Sequence, residues 1–522
     1  MSSTFAPMTW HDTLYLAPEL ILAAMFLILI ITDLILPQRV NRSLIGWLTL
    51  AGLLVSLGAV IWRMIDMNPS GVSAEEAAKA GQAISLLGAS YRVDDYGNLL
   101  KIVFLIGTSL IVLMGLGSTQ KDDAVTDKAE FYYLLLPATA GAMIMASSGN
   151  LVTLYIGLEL LSITTYVLVG LRKRSSLSAE AAFKYVVTGG IASAFVLFGM
   201  SYLYGVTGSV SLADFGTALP QALTDYKALV YVGFFFLIAG FGIKIAAAPF
   251  HAWAPDVYQG APTPVSAFLA VIAKGAALAA VFRLLYSSAF FVSGGSKDQA
   301  GDDVMFALLV IAAVAMLVGT LSALRQKQAK RLLALSGVAN AGYLLVPIAV
   351  SVTIIHSNNF AEFAFYLVAY LLMNVGAFAV VTVIARATGH EELRGFSGLY
   401  YRAPWTAVAM LVFILSLSGL PVTAGFFGKL FILLGAASVK AYWLVAIMAV
   451  STVISYYFYF GIIRQMFLRS NDEAETEIHV PAVTGLVIWI CAAATVALGV
   501  MPGPLMKWID MVFTIQGDLF VR

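Results

Sequence analysis

Charged side chains are scarce in this chain of 522 residues. Asp, Glu, Lys and Arg make up only 11% of it and 60% of the residues are hydrophobic, whereas soluble domains carry roughly 25% charge. The 30 basic residues nearly balance the 29 acidic ones, which excludes the strongly basic surface of a nucleic-acid-binding protein. A water-soluble fold cannot bury this much apolar surface, so the composition predicts a membrane protein.

Cysteine and the common cofactor motifs are also lacking. The single cysteine, Cys491, excludes an internal disulfide and any four-cysteine zinc or iron–sulfur site built by this chain alone. A phosphate-binding loop is not expected, because Thr423 stands where its first glycine would precede Gly428 and Lys429. A dinucleotide-binding glycine pattern and a nucleophile elbow are missing as well. We therefore expect no metal or cofactor site and no redox centre in this chain.

Long apolar runs are abundant and predict the architecture. A membrane-spanning helix needs about 20 mostly apolar residues, and such runs recur from Leu16 almost to the C-terminus. We predict an all-α integral membrane protein with about 14 transmembrane helices and short connections, the longest at 64–97. The predicted spans are 16–36, 44–63, 98–116, 131–148, 150–171, 182–206, 228–248, 262–292, 304–324, 332–355, 360–387, 405–437, 441–463 and 481–502.

Basic residues are distributed unevenly between alternate connections. Fifteen Lys and Arg residues follow odd-numbered spans, and seven follow even-numbered spans or lie in the C-terminal tail. Basic connections stay in the cytoplasm, so this bias predicts that both termini lie on the non-cytoplasmic side. The N-terminal apolar run is expected to be a first membrane span and not a cleaved signal peptide.

An internal repeat is visible when the chain is shifted by 185 positions. Residues 239–244 then fall on residues 424–429 with four of six identities, including Lys244 on Lys429. The shift carries span 7 onto span 12, and five is odd, so the copies are expected to be inverted, as in secondary transporters. Chance similarity between apolar helices is the alternative. The predicted divisions of the single membrane domain at 1–522 are three N-terminal helices at 1–116, a first repeat at 131–292, a second repeat at 304–463 and a C-terminal helix at 481–502.

Helix-breaking residues lie close to both repeated lysines. Two prolines follow Lys244, and Gly419 and Pro421 precede Lys429. Proline removes a backbone donor, which is tolerated at membrane depth only where protein or water satisfies the freed groups. We therefore predict broken helices 7 and 12 and a polar interior.

Five ionisable residues stand out within the predicted spans. A charge at the bilayer centre costs roughly 2.5 to 3.5 kcal/mol on insertion scales, so each is a candidate for function. Burial disfavours the charged form of lysine and a nearby carboxylate restores it. Several buried lysines with one glutamate therefore predict a proton relay, whose candidate members are Glu159, Lys184, Lys244, Lys274 and Lys429.

Structural roles are the alternative for several residues. Lys184 is only a few residues inside span 6, where a snorkelling lysine fits nearly as well. Glu159 alternatively pairs with one lysine merely to neutralise charge. His251, the only histidine at membrane depth, is either a relay residue in the break of span 7 or a hydrogen-bonded structural residue. A further group near helix ends is expected to snorkel to the membrane surface: Glu19, Asp33, Lys101, Arg283 and Arg386.

Four segments together resemble the antiporter-like membrane subunits of respiratory complex I, a family shared with the multi-subunit sodium/proton antiporters. These segments are 157–161, 244–264, 328–336 and 415–429, and the resemblance extends over nearly the whole chain. The opening Ala17-Pro18-Glu19, the lysine in span 12 and an end after span 14 are expected of one subunit type within the family.

The resemblance implies residue roles. In the family, the span 5 glutamate pairs with the span 7 lysine, the span 8 lysine is the central relay, and the span 12 lysine is the terminal donor or acceptor. By position these are Glu159, Lys244, Lys274 and Lys429. Lys184 matches a span 6 lysine whose role is less settled. This sequence departs from the family at Asn340, where related subunits often have histidine, and the departure argues against a titrating relay at this position.

The resemblance also implies a function and partners. We expect a proton-translocating subunit of NADH-quinone oxidoreductase in a bacterial plasma membrane, beside other antiporter-like subunits. NADH, FMN, iron–sulfur clusters and quinone would be bound by partner subunits. The alternatives are a subunit of a sodium/proton antiporter without a redox partner, a relative that accepts electrons from ferredoxin, and a passive scaffold with vestigial lysines.

Overall fold

The computed structural model describes residues 9–37, 40–67, 83–118, 122, 125–287, 299–350, 358–468, 477–513 and 518–519. Within these ranges, 13 helices are long and apolar enough to cross a membrane. Two shorter apolar helices, Pro404–Ser418 and Ala424–Ser438, cover the predicted span 405–437, and we count them as one broken span. The described part of the chain thus has the predicted number of spans, although the connection predicted at 64–97 lies partly outside it.

We number the spans α1 to α14 and name shorter helices by their residues. The first seven are α1 (Ala17–Ile35), α2 (Ser43–Met67), α3 (Asp95–Ser118), α4 (Lys128–Ala146), α5 (Leu151–Val169), α6 (Ser176–Thr207) and α7 (Phe215–Lys244). The others are α8 (Thr263–Tyr286), α9 (Gln299–Ala323), α10 (Ala329–Ala349), α11 (Asn359–Thr388), α12 (Pro404–Ser418 and Ala424–Ser438), α13 (Tyr442–Leu468) and α14 (Ala482–Val500). Four short helices, Trp10–Tyr15, Ala254–Gly260, Leu399–Arg402 and Gly503–Val512, a 3₁₀ turn at Leu393–Phe396 and a hairpin of β1 (Ile84–Leu86) and β2 (Tyr91–Val93) complete the described elements.

Local signals explain several helix boundaries. The Asn150 side chain accepts a hydrogen bond from the Thr153 amide at 2.7 Å and caps α5, as is usual for asparagine at this position. The largest departure from prediction is at α7, where a helical segment begins at Phe215, before the non-helical residue Tyr226 and the predicted start of the span at residue 228. The helix continues through the polar residues before the apolar run and is kinked at Tyr226.

Three helices form the centre of the molecule. The apolar windows of α8, α10 and α11 are 94%, 100% and 94% buried, whereas that of α1 is 17% buried. Polar side chains on these three helices therefore face protein and not lipid. The candidate site is built around them.

Two spans are broken beside a lysine, as expected. The helix α7 ends at Lys244, and a non-helical stretch leads into Ala254–Gly260. The first half of α12 ends before Gly419, whose φ of +80° suits glycine. A π-helical segment, Leu269–Ala273, immediately precedes Lys274 in α8, and such segments often occur at functional sites. The inverted relation between 131–292 and 304–463 stays a prediction.

The charged residues that were expected to snorkel divide into two groups. Asp33 and Arg386 lie near the surface: Asp33 forms a partly exposed ion pair with Arg42 at 3.1 Å, and Arg386 donates to a backbone carbonyl. The expectation is wrong for Glu19, Lys101 and Arg283. The side chains of Lys101 and Arg283 are fully buried and that of Glu19 is 11% exposed.

Opposite charges explain why these residues are buried. The Nζ of Lys101 lies 2.7 Å from the Oε1 of Glu19. The guanidinium of Arg283 donates to both carboxylate oxygens of Asp94, at 2.7 and 2.8 Å. Burial of a charge is tolerated when it is paired, so these pairs join α1 to α3 and the start of α3 to α8.

Candidate functional site

Lys244, the last residue of α7, has an ammonium group surrounded by neutral oxygens. Its Nζ donates to Ser162 Oγ at 2.8 Å and to Ser193 Oγ at 3.0 Å. The hydroxyl of Tyr166 and the carbonyl of Gly189 each lie 3.3 Å away. Within the described ranges no carboxylate lies within 4.0 Å of this nitrogen, so hydroxyls and a carbonyl solvate the ammonium.

The fit around Lys244 depends on a glycine in α6. A Cβ at Gly189 would lie 2.1 Å from the hydroxyl of Tyr166, so a larger residue would displace the ring that faces the ammonium. The backbone of α6 therefore approaches α5 and α7 closely at this point. This approach brings the Gly189 carbonyl within reach of Lys244.

Glu159 lies on α5, three residues before Ser162 and so on the same face of the helix. Its Oε1 atom is buried and has no hydrogen-bond partner among the described residues. The structure therefore brings Glu159 and Lys244 to neighbouring positions without pairing them. Ser162 and Tyr166 are the residues of α5 that contact the ammonium directly.

Lys274 is the most enclosed lysine of the site. Its side chain is 3% exposed, and its Nζ donates to the carbonyl of Gly337 in α10 at 2.6 Å. A Cβ at Gly337 would lie 3.1 Å from this Nζ and 2.9 Å from the hydroxyl of Tyr370. The Tyr370 hydroxyl, which has no hydrogen-bond partner in the described part of the chain, therefore shares the pocket of Lys274.

Lys429 lies in the second half of α12, and its ammonium group binds a carbonyl that the break in that helix exposes. Its Nζ donates to the carbonyl of Leu417 at 2.7 Å, one of the carbonyls that a helix end leaves without an internal partner. The Nζ also lies 5.0 Å from the centre of the Tyr343 ring. A cavity of about 10 Å³ adjoins the lysine, room for about one water, and is lined in part by Thr320, Asn340, Ser451, Ser455 and Tyr459.

Hydrogen bonds across α10 occupy the region between Lys274 and Lys429. The Tyr366 hydroxyl donates to Asn340 Oδ1 at 2.6 Å, and the Asn340 amide lies 3.3 Å from Ser336 Oγ. Ser336 Oγ is 2.5 Å from the hydroxyl of Tyr459. Asn340 does not titrate, but it orders hydroxyl groups that can exchange hydrogen bonds with water.

The structure does not bring Lys184 together with the buried lysines. Its Nζ lies 2.6 Å from both Glu180 and Asp256, and its side chain is 39% exposed. Asp256 also pairs with Arg331. Burial raises the pKa of Asp256, but hydrogen bonds from Lys184 and Arg331 hold it below its ordinary value overall. Lys184 thus belongs to an ion-pair cluster near the surface, and its relay role stays a prediction.

His251 lies between α7 and Ala254–Gly260. It is partly buried, and its Nδ1 has no hydrogen-bond partner among the described residues. No described hydrogen bond joins it to a lysine of the site. The relay role predicted for His251 also stays a prediction.

Several buried charges were not predicted from the sequence, and Lys330 and Glu362 are two of them. Lys330 belongs to a basic connection by sequence, but its side chain is fully buried and pairs with Glu391 at 2.7 Å. Glu362 is buried on α11, within a predicted span. A systematic search of every ionisable residue inside the predicted spans would have found Glu362. The same search would not have found Lys330. Its burial depends on how the segment that contains Glu391 folds, and the sequence carries no signal for this.

Broken spans and a row of buried lysines define a multi-pass membrane protein of the ion-translocating class. Residues 148–455, more than half of the chain, match the family described as NADH:quinone oxidoreductase/Mrp antiporter, transmembrane. NADH-quinone oxidoreductase subunit N of Paenibacillus sp. (strain JDR-2) is 90% identical over 518 residues, which are 99% of each chain. The chain belongs to this family of membrane subunits.

Solved structures extend the comparison to three dimensions. A chain of respiratory complex I from Thermus thermophilus with bound aureothin has a TM-score of 0.75 and 30% identity, over 94% of this chain and 98% of that one. A chain of the Mrp complex from Dietzia sp. has a TM-score of 0.80 and 20% identity, over 97% and 100%. The second likeness shows a shared fold alone. In the part of the chain that the structure describes, no group of three His, Cys, Asp or Glu residues could hold a metal ion.

Proposed function

We propose that this chain acts as subunit N of a bacterial NADH-quinone oxidoreductase and moves protons across the membrane. The observation that carries the proposal is 90% identity, over 99% of both chains, to a protein of that name. The alternative of a stand-alone sodium/proton antiporter has weaker support, because the Mrp chain is only 20% identical. NADH, FMN, iron–sulfur clusters and quinone are then held by partner subunits.

The proposed proton path uses Glu159, Lys244, Lys274 and Lys429 in chain order. Glu159 moves relative to Lys244, and because a nearby carboxylate favours the ammonium form of lysine, this movement makes Lys244 hold or release a proton. The present separation of the two groups supports the idea, since Lys244 is held by neutral oxygens that it can exchange for the carboxylate. Lys274 then relays the proton and Lys429 receives it.

The region between Lys274 and Lys429 supports the second half of the path. Hydroxyl groups of Tyr366 and Tyr459 and the amide of Asn340 are hydrogen-bonded there. A water in the cavity beside Lys429 would complete a chain of donors and acceptors. The amide and hydroxyls order the path, and the two lysines carry the charge.

The organisation and orientation of the chain belong to the same proposal. The segments 131–292 and 304–463 form inverted repeats, and the breaks near Lys244 and Lys429 support this relation. The basic connections lie in the cytoplasm and both termini lie on the opposite side of the plasma membrane.

The experiment is purification of the tagged chain from its native membrane in mild detergent, followed by mass spectrometry and an NADH–quinone reductase assay. We expect flavin and iron–sulfur subunits to co-purify with reductase activity. Recovery of small membrane subunits alone, without reductase activity, would contradict the proposal and favour the antiporter.

A further inference from the structure

Glu362 is a buried carboxylate that the path above leaves unused. It lies in the first turn of α11, and its side chain is 6% exposed. A Cβ at Gly435 would lie 2.5 Å from its Oε2 and 2.8 Å from its Oε1. The carboxylate thus packs directly against the second half of α12. An ionisable group inside a membrane domain is costly and is a candidate for function.

The helix α11 carries a ladder of polar side chains that passes both lysines. Glu362, Tyr366 and Tyr370 are four residues apart and therefore lie on one face of the helix. The Tyr370 hydroxyl shares the pocket of Lys274, and Tyr366 packs against the backbone immediately before Lys429. Glu362 continues this ladder by one turn, away from Lys274.

Lys429 belongs to the second half of α12, and Glu362 packs against that same half. Gly435, which touches the carboxylate, comes six residues after Lys429. Six residues of helix rise by about 9 Å and turn by about 240°, so the two residues lie on different faces of α12. Transfer therefore requires the flexible lysine stem to leave the Leu417 carbonyl and bridging water to close the gap.

Asp510 is a second carboxylate near Glu362. It is exposed and lies on Gly503–Val512, a short helix that packs against α11. The two carboxylates are close enough for their charges to interact. The start of α11 and the end of α12 both lie, by the span order, at the membrane face opposite the basic connections.

We propose that Glu362 is the exit carrier, which takes the proton from Lys429 and passes it by way of Asp510 to the water on that face. This inference rests on the proposed function. The ammonium of Lys429 loses one proton and becomes a neutral amine, and the Glu362 carboxylate gains that proton. The resulting carboxylic acid releases the proton to the Asp510 carboxylate, which releases it to water, and no electron moves.

The test is proton pumping by the intact complex in liposomes that carries Glu362→Gln. This change keeps the shape of the side chain and removes its titration. We expect the protons moved per NADH to fall by as much as in Lys429→Ala, with no further fall when both changes are combined. Glu362→Asp, the matched control that keeps the acid, should retain pumping.

The outcomes separate this inference from the function on which it rests. Wild-type pumping in Glu362→Gln, with a loss in Lys429→Ala, overturns the exit role alone. Wild-type pumping in both variants overturns the proposed path through this chain.

A second pair of variants keeps the test decisive if Glu362→Gln fails to assemble. Asp510→Asn changes an exposed side chain, and Asp225→Asn changes an exposed carboxylate at the start of α7, on the same predicted face. We expect lower pumping in Asp510→Asn and wild-type pumping in Asp225→Asn. Equal pumping in these two variants would overturn the inference.

Discussion

At the scale of single residues, the lysines differ in what surrounds them. Lys244, Lys274 and Lys429 are held by neutral oxygens, which leave their charge uncompensated inside the membrane domain. Lys184 instead has two carboxylates at 2.6 Å. A group that must release and regain a proton needs the first kind of environment, because a fixed carboxylate partner holds the lysine in its charged form.

Lys184→Ala should therefore leave the number of protons moved per NADH unchanged. The side chain is partly exposed and its ion pairs lie near the surface, where such pairs contribute little. Proton uptake by the reconstituted complex measures this, with Lys274→Ala as the variant that should lose pumping. A loss in Lys184→Ala equal to that in Lys274→Ala would place Lys184 in the relay.

At the scale of elements, the breaks in α7 and α12 place the lysines. The break in α12 exposes the carbonyl of Leu417, which accepts from Lys429. Gly419 makes this break possible through its left-handed conformation. An ideal Cβ at Gly419 would also lie 3.1 Å from the Cδ of Lys429. The backbone break and the lysine position are thus coupled.

Gly419→Ala should lower both stability and pumping. A left-handed conformation costs a non-glycine residue about 1 to 2 kcal/mol, and the added methyl group would press on the lysine stem. The melting temperature of the purified complex and its proton uptake are the readouts. Gly205→Ala in α6, where an added Cβ would meet nothing within 4 Å, is the matched control. Equal behaviour of the two variants would contradict the coupling.

The elements were largely predictable from the sequence, and the reason is physical. Apolar runs of membrane length predict the spans, and the cost of intramembrane charge identifies Lys244, Lys274 and Lys429. The helical segment of α7 that precedes the kink at Tyr226 was not predicted, because it lies outside the apolar run. The cost of intramembrane charge could also have identified Glu362. It could not have predicted pairings such as that of Glu19 with Lys101, because these join residues far apart in the chain.

At the scale of the whole molecule, a buried ion pair joins the start of α3, one of the N-terminal helices, to the central helix α8. Arg283 of α8 and Asp94, at the start of α3, are both fully buried and form two hydrogen bonds. The helix α8 also carries Lys274. The pair therefore fixes the position of a relay helix relative to α3.

Asp94→Asn should destabilise the complex strongly. It leaves Arg283 charged and buried without its partner, which typically costs about 3 to 5 kcal/mol. Thermal unfolding of the complex, or its yield on a native gel, measures the loss. Asp94→Asn combined with Arg283→Met removes both charges and should recover much of the stability. A single variant as stable as the wild type would show that the pair does not hold these helices together.

The most direct test of the account is proton pumping by intact complexes in liposomes that carry Lys244→Ala or Lys429→Ala. Both the oxidation of NADH and the uptake of protons are measured in the same vesicles. We predict that each variant assembles and oxidises NADH but moves fewer protons per NADH than the wild type. Undiminished proton transport in both variants would contradict a relay through the buried lysines of this chain.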